Sequence, residues 1–134
     1  MSIALAGGAG IALDSGHTYH LAGNITMTGP FTSVGTGVTV DGKGFTITIN
    51  SVPGFTGLFP VAVTVQNLGI KPSGTTTLAT NAGWFFANGI PGIATNCYST
   101  GTIGAAGGGI FGANCTGTAT NCYTSGSISY DSPD

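Results

Sequence analysis

Two segments of this chain align without a gap. Residues 82–103 read AGWFFANGIPGIATNCYSTGTI, and residues 107–128, 25 positions on, read GGGIFGANCTGTATNCYTSGSI. Gly83, Phe86, Gly92, Thr95, Asn96, Cys97, Tyr98, Gly101 and Ile103 meet Gly108, Phe111, Gly117, Thr120, Asn121, Cys122, Tyr123, Gly126 and Ile128. A fixed period in the twenties is the length of one solenoid coil. Such a unit cannot bury its apolar face alone and must stack on its neighbours.

The rest of the chain says which kind of coil. Glycine (25 residues) and threonine are abundant, suiting tight turns and short strands. The N-terminal half alternates with period two. In Val38–Asn50, one face holds Val38, Val40, Phe45, Ile47 and Ile49, and the other Thr39, Thr46, Thr48 and Asn50, around the turn Asp41-Gly-Lys-Gly44. The same count turns Tyr19, Leu21, Ile25 and Met27 inward before it, with a corner at Ala22-Gly-Asn24. After it, Val61, Val63, Val65, Leu68 and Ile70 turn inward, with a corner at Gln66-Asn67. Three such units at about 20-residue spacing and two 25-residue units predict an all-β, right-handed parallel β-helix of about five coils. The alternative is a hairpin sandwich, since Asp-Gly is also a hairpin signal, but that leaves the ungapped repeat unexplained. One domain spans 1–134, with 1–16 as a cap or first coil, 17–72 as irregular coils and 82–130 as two regular coils.

Two resemblances support this plan. Residues 15–27, 37–49 and 63–70 look like the opening coils of pectate-lyase-like right-handed β-helices. The second half, with Gly108-Gly-Ile-Phe-Gly112, Asn114, Gly117 and Asn121-Cys-Tyr123, resembles the GLUG repeat of bacterial surface and adhesin-like proteins. The first implies a fold. The second implies a fold and, by analogy, a non-catalytic surface role.

Charge argues against catalysis and against nucleic acid. Only 4% of residues are charged: Asp14, Asp41, Lys43, Lys71, Asp131 and Asp134. Glycoside chemistry needs two carboxyl groups across one bond, and calcium needs several oxygen ligands. Asp41 stands beside Lys43 with no acid partner, so no catalytic, cofactor or metal residue is expected. His17 and His20 lack a third ligand at useful spacing and read as ordinary strand residues. A net charge of −2 gives no basic stripe for nucleic acid. The residues singled out are structural. Asn96, Cys97 and Tyr98 should stack beneath Asn121, Cys122 and Tyr123. The cysteines should stay reduced, because in-register side chains run too parallel for good disulfide geometry, and Cys115 should pack alone. The sequons at Asn24 and Asn114 read as chance.

The N-terminus has no positive segment and its apolar runs are broken by glycine, so neither a signal peptide nor a membrane span is expected. Together with the odd cysteine count, this suggests synthesis in a reducing cytosol, unless the chain is a fragment of a surface protein. The uncharged segment 3–13 resembles a surface meant to be covered, whereas Asp131, Pro133 and Asp134 should blunt the other end. The expected function is therefore a self-associating scaffold, a homo-oligomer or larger assembly such as a virion fibre or shell, joined through its N-terminal end and Thr-rich faces. An adhesin module with a carbohydrate partner is the alternative. Ice binding is a third reading, resting on the pairs Thr26/Thr28 and Thr46/Thr48.

Overall fold

The computed structural model describes residues 2–8 and 10–128. The expectations placed on Asp131, Pro133 and Asp134 lie outside these residues. The described strands, in chain order, are β1 (Ser2–Ala4), β2 (Ala12–Leu13), β3 (Thr18–His20), β4 (Ile25–Met27), β5 (Ser33–Val34), β6 (Thr39–Asp41), β7 (Thr46–Asn50), β8 (Thr64–Gln66), β9 (Gly69–Ser73), β10 (Ile93–Thr95), β11 (Tyr98–Ser99), β12 (Thr118–Thr120) and β13 (Tyr123–Thr124).

Every strand pair is parallel, which excludes the hairpin sandwich. A six-stranded sheet runs β1-β3-β6-β8-β10-β12, and a five-stranded sheet runs β4-β7-β9-β11-β13. The third side is less regular. It begins with β2 on β5 and continues as single bridges, Phe55 to Leu78, Phe59 to Phe86 to Phe111, and Gly83 to Gly108. The fold is a parallel β-solenoid of about five turns. The Asp41-Gly-Lys-Gly44 turn passes the chain from one sheet to the next and does not close a hairpin.

Side-chain alternation fills the core. The inward file of the first sheet is Ile3, Tyr19, Val40, Val65, Ala94 and Ala119. That of the second includes Ile25, Ile47, Ile70 and Ser99. Val40, Ile47, Val65 and Ile70 are fully buried, and Thr39, Thr46, Thr48 and Thr64 face outward, half-buried by their neighbours in adjacent coils. Ser99 is a polar residue in an inward file. Its hydroxyl donates to the Gly109 carbonyl at 2.7 Å and lies 3.0 Å from Thr124 Oγ1, which satisfies it.

Three expectations need correction. Val61 is exposed, because the β8 alternation begins only at Val63, after Pro60 and the corner that follows Phe59. The N-terminal spacing is not uniform: successive strands of the first sheet are offset by 16, 21, 25 and 29 residues before the final 25-residue step. Extra length loops out at corners and leaves the strand register intact. Finally, Thr26/Thr28 and Thr46/Thr48 do not stack as pairs. Thr26 lies on Thr48 and then Lys71, while Thr46 lies beside Gly69.

The third side supplies most of the aromatic core. Phe31, Phe59, Phe86 and Phe111 form a stack with centroids 5.4, 5.6 and 5.0 Å apart. Phe55 stacks on Trp84 at 5.7 Å. Each ring covers the ring of the coil before it, so the stack is buried in the middle and only half-buried at Phe111.

Candidate functional site

The corner between the first and second sheets carries the polar residues. Asn67, Asn96 and Asn121 all adopt left-handed backbone there, with φ of 55°, 55° and 54°. Asparagine tolerates this conformation better than other side-chain-bearing residues and can hydrogen-bond locally. Asn67 N–H donates to the Thr95 carbonyl and Asn96 N–H to the Thr120 carbonyl, each bond tying one coil to the next. The side chains continue the ladder. Asn96 Nδ2 donates to Asn67 Oδ1 at 3.4 Å, and Asn67 Nδ2 donates to Asp41 Oδ1 at 3.2 Å.

Asp41 anchors this ladder. Besides Asn67, it accepts from Gln66 Nε2 at 3.2 Å and Lys43 N–H at 2.9 Å, and it pairs with Lys43 Nζ at 3.5 Å. Burial pushes its carboxyl upward, but the Lys43 backbone N–H, the Asn67 and Gln66 amides and the Lys43 charge together hold it below the ordinary aspartate range. Its oxygens are therefore occupied in structural bonds.

The cysteines follow the same phase. The Cys97 thiol donates to the Thr95 carbonyl at 3.3 Å and the Cys122 thiol to the Thr120 carbonyl at 3.3 Å. All three cysteines are reduced, and the Cys115 thiol is taken up by the Ala87 carbonyl at 3.2 Å. Burial pushes the Cys97 thiol up to about 12. Tyr98 and Tyr123 stack at 5.2 Å with their planes 8° apart. Tyr98 lies over Gly69, where any Cβ would run into its ring.

These columns end at exposed rungs. Tyr123 is 61% exposed and Ile128 72%. In β12, Thr118 N–H donates back to the Gly92 carbonyl and the Thr120 carbonyl accepts from Asn96. The alternation of a parallel strand therefore turns both peptide groups of Ala119 away from the solenoid. At the other end, Ile3 occupies an inward file yet is 39% exposed, and Leu5 N–H bonds forward to the His20 carbonyl, which turns Ala4 outward. Residues 2–8 and 10–13 thus form a partial first coil: β1 lies on β3, Gly8 bridges Met27 and β2 lies on β5.

The remaining candidates do not converge. Asp14 lies between β2 and β3, away from the Asp41 corner, and its N–H is bound to Tyr19 Oη at 2.7 Å. His17 is exposed, and His20 Nδ1 shares a hydrogen bond with Ser2 Oγ at 2.6 Å. Among the described residues no three His, Cys, Asp or Glu side chains group as metal ligands, and no helix is long and apolar enough to cross a membrane. The longest threonine file was missed by sequence reading. It is Thr18, Thr39 and Thr64 on the first sheet, broken by Ile93 and resumed at Thr118. Strand pairing across coils of unequal length hid it. Comparison with family models, with curated proteins and with solved structures finds no match to this chain, so the pectate-lyase-like and GLUG-like resemblances rest on the residues quoted for them.

Proposed function

We propose that this chain is a non-catalytic structural scaffold that self-associates through the ends of its solenoid, as one component of a fibre or shell such as a virion. The observation that carries this reading is the pair of end coils, over neither of which another segment lies among the described residues. Each presents outward peptide groups, at Ala4 and at Ala119, beside apolar files whose last members, Ile3 and Ile128, are exposed. Unpaired strand edges template pairing unless they are covered, charged or broken by proline, and neither β1 nor β12 contains a charge or a proline. The scarcity of charge removes the usual repulsion between copies. The engagement of Asp41 in four structural contacts supports the non-catalytic part of the reading.

Ice binding is less well supported. On the first sheet, the side chains on either side of the inward file read Thr/His, Thr/Asp, Thr/Gln, Ile/Thr and Thr/Thr from β3 to β12, so a two-threonine rung occurs there only at β12, and on the second sheet the Thr46/Thr48 rung of β7 meets Gly69 and Lys71 in the next coil.

Light scattering coupled to size exclusion tests the scaffold reading. The wild-type chain is expected to exceed 13.1 kDa, with a mass that rises with concentration. Ala119→Pro removes an outward N–H without breaking a bond among the described residues, and Tyr123→Lys adds a charge to the exposed rung. The double variant is expected to lose most of the association. A wild-type monomer at high micromolar concentration would overturn the proposal.

A further inference from the structure

The two end coils differ in which peptide groups they turn outward, and this difference decides how copies can meet. A residue in a parallel strand sends its N–H and C=O to the same neighbouring strand, and successive residues alternate. In β12, Thr118 N–H bonds to the Gly92 carbonyl and the Thr120 carbonyl accepts from Asn96 N–H, both in the preceding coil. The outward groups therefore belong to Ala119, the inward-file residue between them. In β1 the order is reversed. Leu5 N–H bonds to the His20 carbonyl and Ile3, the inward-file residue, faces β3, so the outward groups belong to Ser2 and Ala4.

The second sheet repeats the pattern. Tyr123 N–H and Ser125 N–H bond back to the Cys97 and Ser99 carbonyls, which turns the groups of Thr124 outward. At the other end Gly8 donates forward to the Thr26 carbonyl and accepts from Thr28 N–H, which turns those of Gly7 outward.

A parallel ladder needs this offset between its two edges. With Ile3 of one copy set on Ala119 of another, Ala119 N–H faces the Ser2 carbonyl, Ala4 N–H faces the Ala119 carbonyl and Asn121 N–H faces the Ala4 carbonyl. That is the pattern already made between β10 and β12. The same register keeps the inward files inward. The file ends in two alanines, Ala94 and Ala119, and the exposed Ile3 supplies the bulk they lack. In the second sheet, the phase set by Gly8 on Met27 and by Ser99 on Thr124 brings Gly7 N–H to the Thr124 carbonyl. Unequal corners do not prevent the fit, since the first two coils already stack with Ile3 on Tyr19 and Gly8 on Met27.

Two like ends fit worse. A twofold axis that sets β12 on β12 runs the strands antiparallel and turns the cross-section over. The edge of the five-stranded sheet then falls on the third side, which is held by isolated bridges, and Ala119 meets Ala119 in the core.

The geometry points to head-to-tail stacking, in which β1 of one copy adds in parallel to β12 of the next with Ile3 on Ala119. This inference rests on the self-association proposed above and specifies the surface that each copy contributes. A head-to-tail contact between copies that share one axis does not close, so the product is an open fibre and not a shell or a twofold dimer.

Two variants, each blocked at one end, test it. Ala4→Pro removes an outward N–H from β1 and Ala119→Pro removes one from β12, and by the alternation neither breaks a bond among the described residues. Each variant alone is expected to be a 13.1 kDa monomer by light scattering, at concentrations where wild type associates. An equimolar mixture is expected to restore association, but only to a dimer of twice that mass, because the Ala4→Pro copy still offers β12 and the Ala119→Pro copy still offers β1. If a proline variant fails to fold by circular dichroism, Ile3→Asp or Ala119→Asp takes its place and sets an unpaired charge in the junction. Association of either variant alone, or a mixture that stays monomeric while wild type associates, overturns head-to-tail stacking and leaves self-association standing. A wild-type chain that stays monomeric at high micromolar concentration overturns both.

Discussion

Ile47→Ala and Thr48→Ala probe the register of the solenoid at adjacent positions of one strand. Ile47 is fully buried, with Ile25 on one side and Ile70 on the other. Truncation to alanine removes three carbon atoms, about 2.4 kcal/mol at roughly 0.8 kcal/mol per buried methylene. Neighbours pinned by ladder hydrogen bonds on both sides collapse poorly into the space, which adds a cavity contribution. The total should fall toward the upper half of the usual 2–5 kcal/mol range. Thr48 points the other way, half-buried between Thr26 and Lys71, and its truncation should cost less than about 1 kcal/mol. Urea titrations followed by circular dichroism give both values from the midpoints at a shared slope. Equal destabilisation, or a larger loss for Thr48→Ala, would refute the reasoning, because a one-residue slip exchanges the two faces.

Gly69→Ala places a Cβ against the Tyr98 ring and should cost about 1–3 kcal/mol by overpacking; adding Tyr98→Ala should recover much of that loss in the same titration. Asn96 sits at φ 55°, so Asn96→Ala should be about 1 kcal/mol less stable than Asn96→Gly, which loses the same side-chain bond but tolerates the backbone. The Cys97 thiol is held at about 12 by burial, while in the unfolded chain it ionises near its ordinary value of 9.0. The folded state therefore keeps its proton longer, and the stability linked to it is complete below pH 9 and falls as pH rises toward 12. Thermal melts across that interval should show the fall in wild type and a shallower one in Cys97→Ala, and an aromatic-thiol disulfide reagent at pH 8 should leave Cys97 unmodified in the native protein.

The regular half of this fold was legible because its coils are equal in length. The offset that aligns Asn96-Cys-Tyr98 with Asn121-Cys-Tyr123 is also the physical register, as Tyr98 on Tyr123 shows. Alternation likewise found the inward files at Val40, Ile47 and Val65, since period two survives wherever the backbone stays extended. It failed at Val61, where the extended stretch had not yet begun. The third side was harder to read. Phe55, Phe59 and Trp84 belong to segments held by isolated bridges, and Phe31 precedes the two-residue β5, so none lies in a strand long enough to show a period. Their stacking follows from shape and from the coil before. The threonine file at Thr18, Thr39 and Thr64 was hidden for a related reason, since unequal corners separate residues that the ladder places side by side.

Hydrogen–deuterium exchange as a function of protein concentration tests the end-association account most directly. The outward amides of Ala4, Ala119 and Asn121 have no partner among the described residues, given that Leu5, Thr118 and Thr120 spend their groups on the neighbouring coil. Peptides covering Ser2–Ala4 and Thr118–Thr120 through Asn121 should exchange fast in dilute protein and slow as concentration rises, while those covering β7 and β9 stay protected throughout. Exchange at the two ends that is independent of concentration, up to the high micromolar range, would contradict association through the end coils.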